Sequence, residues 1–472
     1  MRDITPLVAP RSIAVIGAST NPGKSGGILF ANLAGGGFDG PLHPVNPRAD
    51  TVMNRKAFPG IADIGEPVDL AYIVLPRHLV AEAVGQCIAA GVRAACIITA
   101  GFAEVDDSGR ADQAALRQRA RAGNLLLAGP NTIGMVNAKC GMMGSFVNFP
   151  HWQDGSISLF TQTGIFTGAL MHQVMGQDAQ RLPVGMSIDV GNKVDVDELD
   201  FLDHVADDPN TEVIGFYLES INRPRDFLEK AGEVGRTKPI VILKPGRTRD
   251  GARASISHTG ALAADDAVLD AGFRRVGVTR AQDEQEFLDI LKAHAMLSRP
   301  PGRRFGRRLA IATTSGALGV MATDLAVDFG FHLAEFTPET RARLGTILPD
   351  WLSPANPFDF WIGLDMKGAE EAHRVGLGGV VGDANADIVL CTLLAPPNAD
   401  FPGFGDVMRA IRRDHPDKPI AMVIWGGAAR QRWIAAIEGL NIPVFASTRA
   451  ALRALAALID PTCTAGPPTS DA

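Results

Sequence analysis

The sequence predicts an α/β protein built of parallel sheets, and three observations carry that prediction. Short β-branched runs alternate with amphipathic segments along most of the chain, the pattern of βαβ units with right-handed crossovers. Each third of the chain opens on the same device, a strand running into a Gly/Ser/Thr turn and then a helix. The three openings are Ala14-Val15-Ile16-Gly17-Ala18-Ser19, Ser158-Leu159-Phe160-Thr161-Gln162-Thr163-Gly164 and Ile311-Ala312-Thr313-Thr314-Ser315-Gly316. High Ala and Gly content with only 6% aromatics suits helices packed tightly on sheets. At 472 residues there is chain for about three domains of roughly 150 residues.

In chain order, the first third carries strand patterns at 12–16, 42–45, 70–74, 94–98 and 125–128, with helical patterns at 79–90 and 110–122. The second third repeats the rhythm with strands at 157–160, 186–189, 213–218 and 240–243. A Pro/Gly/Arg-rich stretch, 298–304, reads as an interdomain linker. The last third restarts with strands at 308–313, 388–392, 420–424 and 443–445. The expected domains are 1–145, 146–298 and 305–460, followed by a disordered Pro/Ser/Thr-rich tail at 461–472.

Composition narrows the function. A net charge of −7 and a pI of about 5.8 argue against a nucleic-acid footprint. The start, Met1-Arg2-Asp3-Ile4-Thr5-Pro6, does not read as a signal peptide, and no apolar run reaches membrane-spanning length. Five cysteines lie scattered without a CxxC pair. They read as reduced thiols of a cytoplasmic protein with no metal site.

A strand that ends in Gly/Ser/Thr at a helix start offers backbone N–H groups and a positive dipole end to an anion. One such turn is weak evidence, because doubly wound sheets need tight turns anyway. In the first, Gly17-Ala18-Ser19-Thr20-Asn21-Pro22-Gly23-Lys24-Ser25-Gly26-Gly27, the spacing is not GxGxxG. The second strand ends in Pro44-Val45-Asn46-Pro47-Arg48 rather than in the acid expected on a ribose. A dinucleotide dehydrogenase is therefore a poor fit. Arg48 suits a 3′-phosphate or pyrophosphate, against the plainer reading of a surface charge. Ala100-Gly101-Phe102 and Gly129-Pro130-Asn131 lie at further strand ends, where such sheets bind ligands or simply turn.

The most telling segment is Gly251-Ala252-Arg253-Ala254-Ser255-Ile256-Ser257-His258-Thr259-Gly260-Ala261-Leu262-Ala263. It sets one histidine in a run of small residues and reads as a mobile loop between strand and helix. Neutral imidazole is a nucleophile toward phosphoryl groups near neutral pH. His258 on such a loop suits a group carrier, against an incidental surface histidine.

Together these strings resemble the NDP-forming acyl-CoA synthetases, relatives of succinyl-CoA synthetase, over nearly the whole chain. The resemblance rests on the strings already quoted, on Val190-Gly191-Asn192-Lys193-Val194-Asp195-Val196-Asp197, on Tyr217-Leu218-Glu219-Ser220-Ile221, and on Asn356-Pro357-Phe358-Asp359 and Trp425-Gly426-Gly427. It implies an N-terminal Rossmann-like CoA-binding domain followed by two flavodoxin-like ligase domains. His258 matches the phosphorylated histidine, and Glu219 matches the acid that polarises it. Glu219 reads alternatively as a helix cap or a partner of Lys244. Thr163-Gly164 and Ser315-Gly316 match two phosphate-binding helix N-termini that face each other. Gly17, Ser19, Lys24, Ser25, Asn46, Arg48, Pro76, Ala100, Gly101 and Asn131 match the CoA site. Asn192, Lys193 and Asp195 form a loop that is nearly as well explained as a plain turn.

Three departures from the family pattern stand out. Thr132 stands for the usual cysteine after Gly-Pro-Asn, Thr161-Gln162-Thr163-Gly164 for Ser-Gln-Ser-Gly, and Pro357-Phe358-Asp359-Phe360-Trp361 for a common Pro-Val-Asp string. The aromatics either reshape an acyl pocket or pack the core. Nothing in the chain reads as an ATP-grasp domain. The resemblance therefore implies an α-type subunit of an oligomer, with ATP/ADP and Mg2+ held by an ATP-grasp β-type partner. The substrate is a small carboxylate. The competing reading is a non-catalytic CoA-binding sensor of the same fold.

Overall fold

The computed structural model describes residues 2–147, 154–170, 182–259, 265–297, 305–395, 401–427 and 429–463. The chain divides into two compact units, Met1–Gly176 with Pro183–Val278, and Gln177–Leu182 with Thr279–Ala472.

The first unit holds two sheets. In one, every adjacent pair is parallel, in the order Leu42–Val45, Ile13–Ile16, Leu70–Ile73, Ala94–Ile97, Leu126–Ala128. Strand order reverses beside Ile13–Ile16, so a crevice opens at the carboxyl ends of that strand and Leu70–Ile73. In the other sheet, Ile240–Leu243, Val213–Tyr217, Ile157–Thr161 and Val184–Asp189 are parallel neighbours. Order reverses again at Ile157–Thr161. All its residues and all of Val184–Asp189 are buried. This is why these strands read as apolar runs rather than as alternating patterns. A chain of aromatics, Phe160, Phe201, Phe216 and Phe227, packs at centroid spacings of 5.2, 5.8 and 5.3 Å.

Sheet membership crosses the expected boundary at 145. Gly134–Asn137 and Met142–Ser145 form an antiparallel pair that adds to the edge of Val184–Asp189 in the second sheet. The turn Ala138–Cys140, closed by Gly141 at φ 65°, makes the hairpin. Its short Met/Gly-rich strands carried no strand pattern of their own.

The segment carrying His258 also differs from expectation. The chain is helical over Arg249–Thr259 and not a loop. Alanine and arginine, which read there as small or polar loop residues, are strong helix formers. Thr248 Oγ1 also accepts from Gly251 N at 3.0 Å at the helix start. Residues 260–264 of the expected loop lie outside the described residues.

In the second unit, His332–Leu333, Arg308–Thr313, Ile388–Ala395, Ile420–Gly426 and Val444–Phe445 are successive parallel neighbours. Phe358–Asp359 pairs beside the end of Arg308–Thr313. Phe358 and Phe360 are buried and stacked with centroids 6.1 Å apart, so both serve the core. Trp361 is 56% exposed. The linker 298–304 lies outside the described residues. Of the expected disordered tail, Pro461–Cys463 are ordered in a turn: Asp460 Oδ1 accepts from both the N–H and the hydroxyl of Thr462. Residues 464–472 are outside the description. Among the described residues no helix is long and apolar enough to cross a membrane.

Candidate functional site

The first crevice is built by exclusion of side chains. Gly17 sits at φ +92°, and a Cβ there would lie 2.2 Å from Val74 O. Gly26 and Gly27, at the start of the helix Ser25–Gly35, would bring a Cβ equally close to Gly17 O and Asn21 O. Only glycine lets the helix start press onto the turn. Ser19 and Asn21 shape the rim, accepting from Asn21 N (3.1 Å) and Gly23 N (2.9 Å). Lys24 and Ser25 are exposed beside it.

Asn46 is fixed here by bonds within the chain. Its amide donates to Ala18 O at 2.8 Å, and its Oδ1 accepts from Arg48 N at 2.8 Å. It thereby ties the second strand's end to the glycine turn and presents Arg48, whose side chain is exposed. Across the crevice Pro76 caps the helix Arg77–Ala89. Ala100 and Gly101 (φ +105°) follow the next strand.

Glu104 closes that turn. Its two oxygens accept from Gly101 N (2.6 Å) and Phe102 N (3.1 Å). The Asn192 amide adds bonds to Glu104 (2.5 Å) and to Gln113 (2.9 Å). Burial pushes the Glu104 carboxyl up, but these bonds outweigh it and hold it below its ordinary range. Asn131, at φ +62°, donates to Asn192 Oδ1 at 3.3 Å. So the loop 190–195, from the second sheet, completes the crevice of the first. Lys193 is buried there against Glu198 (2.6 Å) and Ser220 O (2.7 Å). Asp195 is buried between Arg2 and Arg121. Lys193 and Asp195 thus hold the loop, and Asn192 faces the crevice.

The second crevice lies at the ends of paired strands, where Thr161 is opposite Tyr217. Thr163-Gly164 turns out of one strand and Glu219 follows the other. Gln162 joins them: its Oε1 accepts from Glu219 N (2.9 Å) and Ser220 N (3.0 Å). Gln162 was overlooked as a site residue, although a lone amide between two threonines at a strand end was the available signal. Glu219 is 9% exposed, and the Tyr217 hydroxyl donates to it at 3.4 Å. Burial, with that carboxylate beside it, raises the Tyr217 pKa. Lys244 donates to Pro245 O at 2.8 Å. His258 lies in the last turn of Arg249–Thr259, and its side chain is outside the described residues. In the second unit, Ser315 caps the helix Gly316–Asp328, with its N–H bonded to Thr313 Oγ1 at 3.1 Å.

A glycine-lined crevice beside a sheet whose switch point joins a Thr-Gly turn to a buried carboxylate defines a CoA-binding, succinyl-CoA-ligase-like protein. Residues 11–138 match the CoA binding domain and 154–294 the succinyl-CoA ligase like flavodoxin domain. The chain belongs to the family of ADP-forming acetate–CoA ligases. It is 32% identical to the α subunit of acetate–CoA ligase [ADP-forming] I from Pyrococcus furiosus, covering 96% of each chain. It is 35% identical to acetate–CoA ligase [ADP-forming] II from Archaeoglobus fulgidus over 84% of this chain, but spans only 58% of that relative's length. The structure of Ca. Korarchaeum cryptofilum acetyl-coenzyme A synthetase 1, in complex with phosphate and ADP, superposes with a TM-score of 0.87. It is 30% identical, covering 97% of this chain and 96% of that one.

Proposed function

We propose that this chain is the CoA- and phosphate-handling α-type subunit of an ADP-forming acyl-CoA synthetase. The observation that carries the reading is the junction at Gln162, which sets the Thr163-Gly164 turn and Glu219 side by side at one switch point. In the direction of acyl-CoA use, a phosphate oxygen attacks the thioester carbonyl. The C–S bond breaks, CoA leaves as the thiol, and an acyl phosphate remains. A ring nitrogen of His258 then attacks phosphorus and the carboxylate departs. The phosphoryl group finally passes to a nucleoside diphosphate, and every step is reversible. Thr163-Gly164 stabilises the charge on the transferring group, and Ser315-Gly316 has the make-up of a second anion turn in its own unit.

Relatives of matching length are named α subunits, which supports a partner chain. We assign nucleotide and Mg2+ to that partner, of ATP-grasp type. Relatives carry names for acetate, 4-hydroxybutyrate and trans-ferulate, so the proposed substrate is a carboxylate of unfixed size.

Two substitutions test the roles. Arg48→Glu should weaken CoA binding by about tenfold, the worth of one charge-assisted phosphate contact, and affect dephospho-CoA less. Equal calorimetric affinities for both ligands before and after the change would return Arg48 to the surface. Glu219→Gln should slow histidine phosphorylation roughly 10- to 100-fold without moving the melting temperature, because the amide cannot stabilise an imidazolium. Wild-type phosphorylation kinetics in this variant would leave Glu219 no part in the transfer.

A further inference from the structure

Asp189 ends the strand Val184–Asp189 and is 1% exposed. Its Oδ2 accepts from Ile133 N (2.9 Å), and its Oδ1 accepts from Gly191 N (3.2 Å). The Thr132 hydroxyl lies 2.8 Å from Oδ2 and 2.7 Å from the Asp189 carbonyl, and it accepts from Gly134 N. The carboxylate therefore holds Thr132 by its hydroxyl and Ile133 by its N–H, and Thr132 has a neighbour of interest on each side. On one side is Asn131, whose N–H donates to Thr99 O and whose side chain donates to Asn192. On the other is Ile133, whose side chain fills the space above Gly164: a Cβ on Gly164 would lie 2.6 Å from it.

Neutral pairs do similar work elsewhere in this sheet, Ser158 with Thr211 at 2.7 Å and Thr167 with Ser187 at 2.8 Å. A buried carboxylate is a costlier clasp. Asp189 makes no ion pair among the described residues. The titratable group that faces it is Cys96, whose thiol it helps to raise. Burial pushes Asp189 up to about 6, against the bonds from Ile133, Gly191 and Thr132. Above that pH it accepts all three bonds. Below it, a proton on the carboxyl competes with the backbone donors.

We propose that Asp189 is a positioning residue: through Thr132 and Ile133 it fixes the CoA-side Asn131 and the phosphate turn at Gly164 in one geometry. This rests on the function proposed above. In the full-length chain, acetyl-CoA and labelled inorganic phosphate serve as probes, and the rate of histidine phosphorylation is followed from pH 5 to 8. The wild-type rate should fall as pH drops through about 6. Asp189→Asn should lower the rate about tenfold at pH 8 and lose that fall, and its calorimetric affinity for CoA should weaken. Thr132→Val, which keeps the carboxylate but removes the hydroxyl's bonds to it and from Gly134 N, should lower the rate in a chain that still folds with a lower melting temperature, and carries the test if Asp189→Asn does not fold. Wild-type rates and pH profiles in the folded variants overturn the proposal. If the wild type takes no label, the proposed function fails instead. The CoA affinities then judge Asp189: equal values in wild type and variant overturn it.

Discussion

His258→Ala is expected to reduce the acid-labile, alkali-stable phosphoryl label on this chain to background, a loss on the order of a thousandfold or more. No other group in the proposed reaction takes the phosphoryl group covalently. The substitution lies in the last turn of the helix Arg249–Thr259, and alanine is the strongest helix former. The melting temperature should therefore hold while the label disappears. The measurement is incorporation of labelled phosphate driven by acetyl-CoA, in wild type and variant side by side. A label that persists in the variant removes His258 from the reaction. In the same assay, the wild-type chain alone should release CoA and acid without making ATP until the partner is supplied. ATP formation by the pure chain would end the assignment of the nucleotide to a second subunit.

Lys193→Met is expected to cost about 3–5 kcal/mol of stability. Lys193 and Glu198 are almost fully enclosed, with side chains 2% and 1% exposed. Glu198 accepts from Lys193 Nζ (2.6 Å) and from Asn222 N (2.8 Å). Removing the ammonium leaves a buried carboxylate without its counter-charge and Ser220 O without its donor. The position is also constrained at φ +55°, in the left-handed region that non-glycine residues rarely occupy. Urea unfolding of the variant should show a lower midpoint with an unchanged slope. Glu198→Gln with Lys193→Met together should recover part of the loss, since neither buried charge remains. A midpoint within experimental scatter of wild type would show that the pair contributes nothing net.

Much of the parallel architecture was legible because buried parallel strands are written as contiguous apolar runs. The patterns at 42–45, 240–243 and 308–313 coincide with the strands Leu42–Val45, Ile240–Leu243 and Arg308–Thr313. The glycine turns were equally visible, since a positive φ and a close backbone approach at Gly17 admit no other residue. The hairpin at Gly134–Asn137 and Met142–Ser145 was not visible. Its strands are short, and their stability comes from pairing with Val184–Asp189, some 50 residues away. The helix carrying His258 was misread because a string of small residues is compatible with both a flexible loop and a good helix.

The same division holds for the candidate site. Residue type and local spacing singled out Gly17, Arg48, Thr163-Gly164 and His258 as candidates, because phosphate binding and phosphoryl transfer demand particular chemistry at strand ends, and the family resemblance added Glu219. The sequence by itself thus determined the class of protein and which strand ends are the candidates for its chemistry. Which polar residues hold the site together was decided only by the tertiary structure. Gln162 under Glu219, Asn192 against Glu104, and Asp189 beneath Thr132 and Ile133 join segments from 56 to 88 positions apart. Hydrogen bonds between such segments have no local signature, since each residue alone is compatible with an ordinary turn. Only when the two sheets of the first unit are packed do their buried donors and acceptors have to be satisfied by one another.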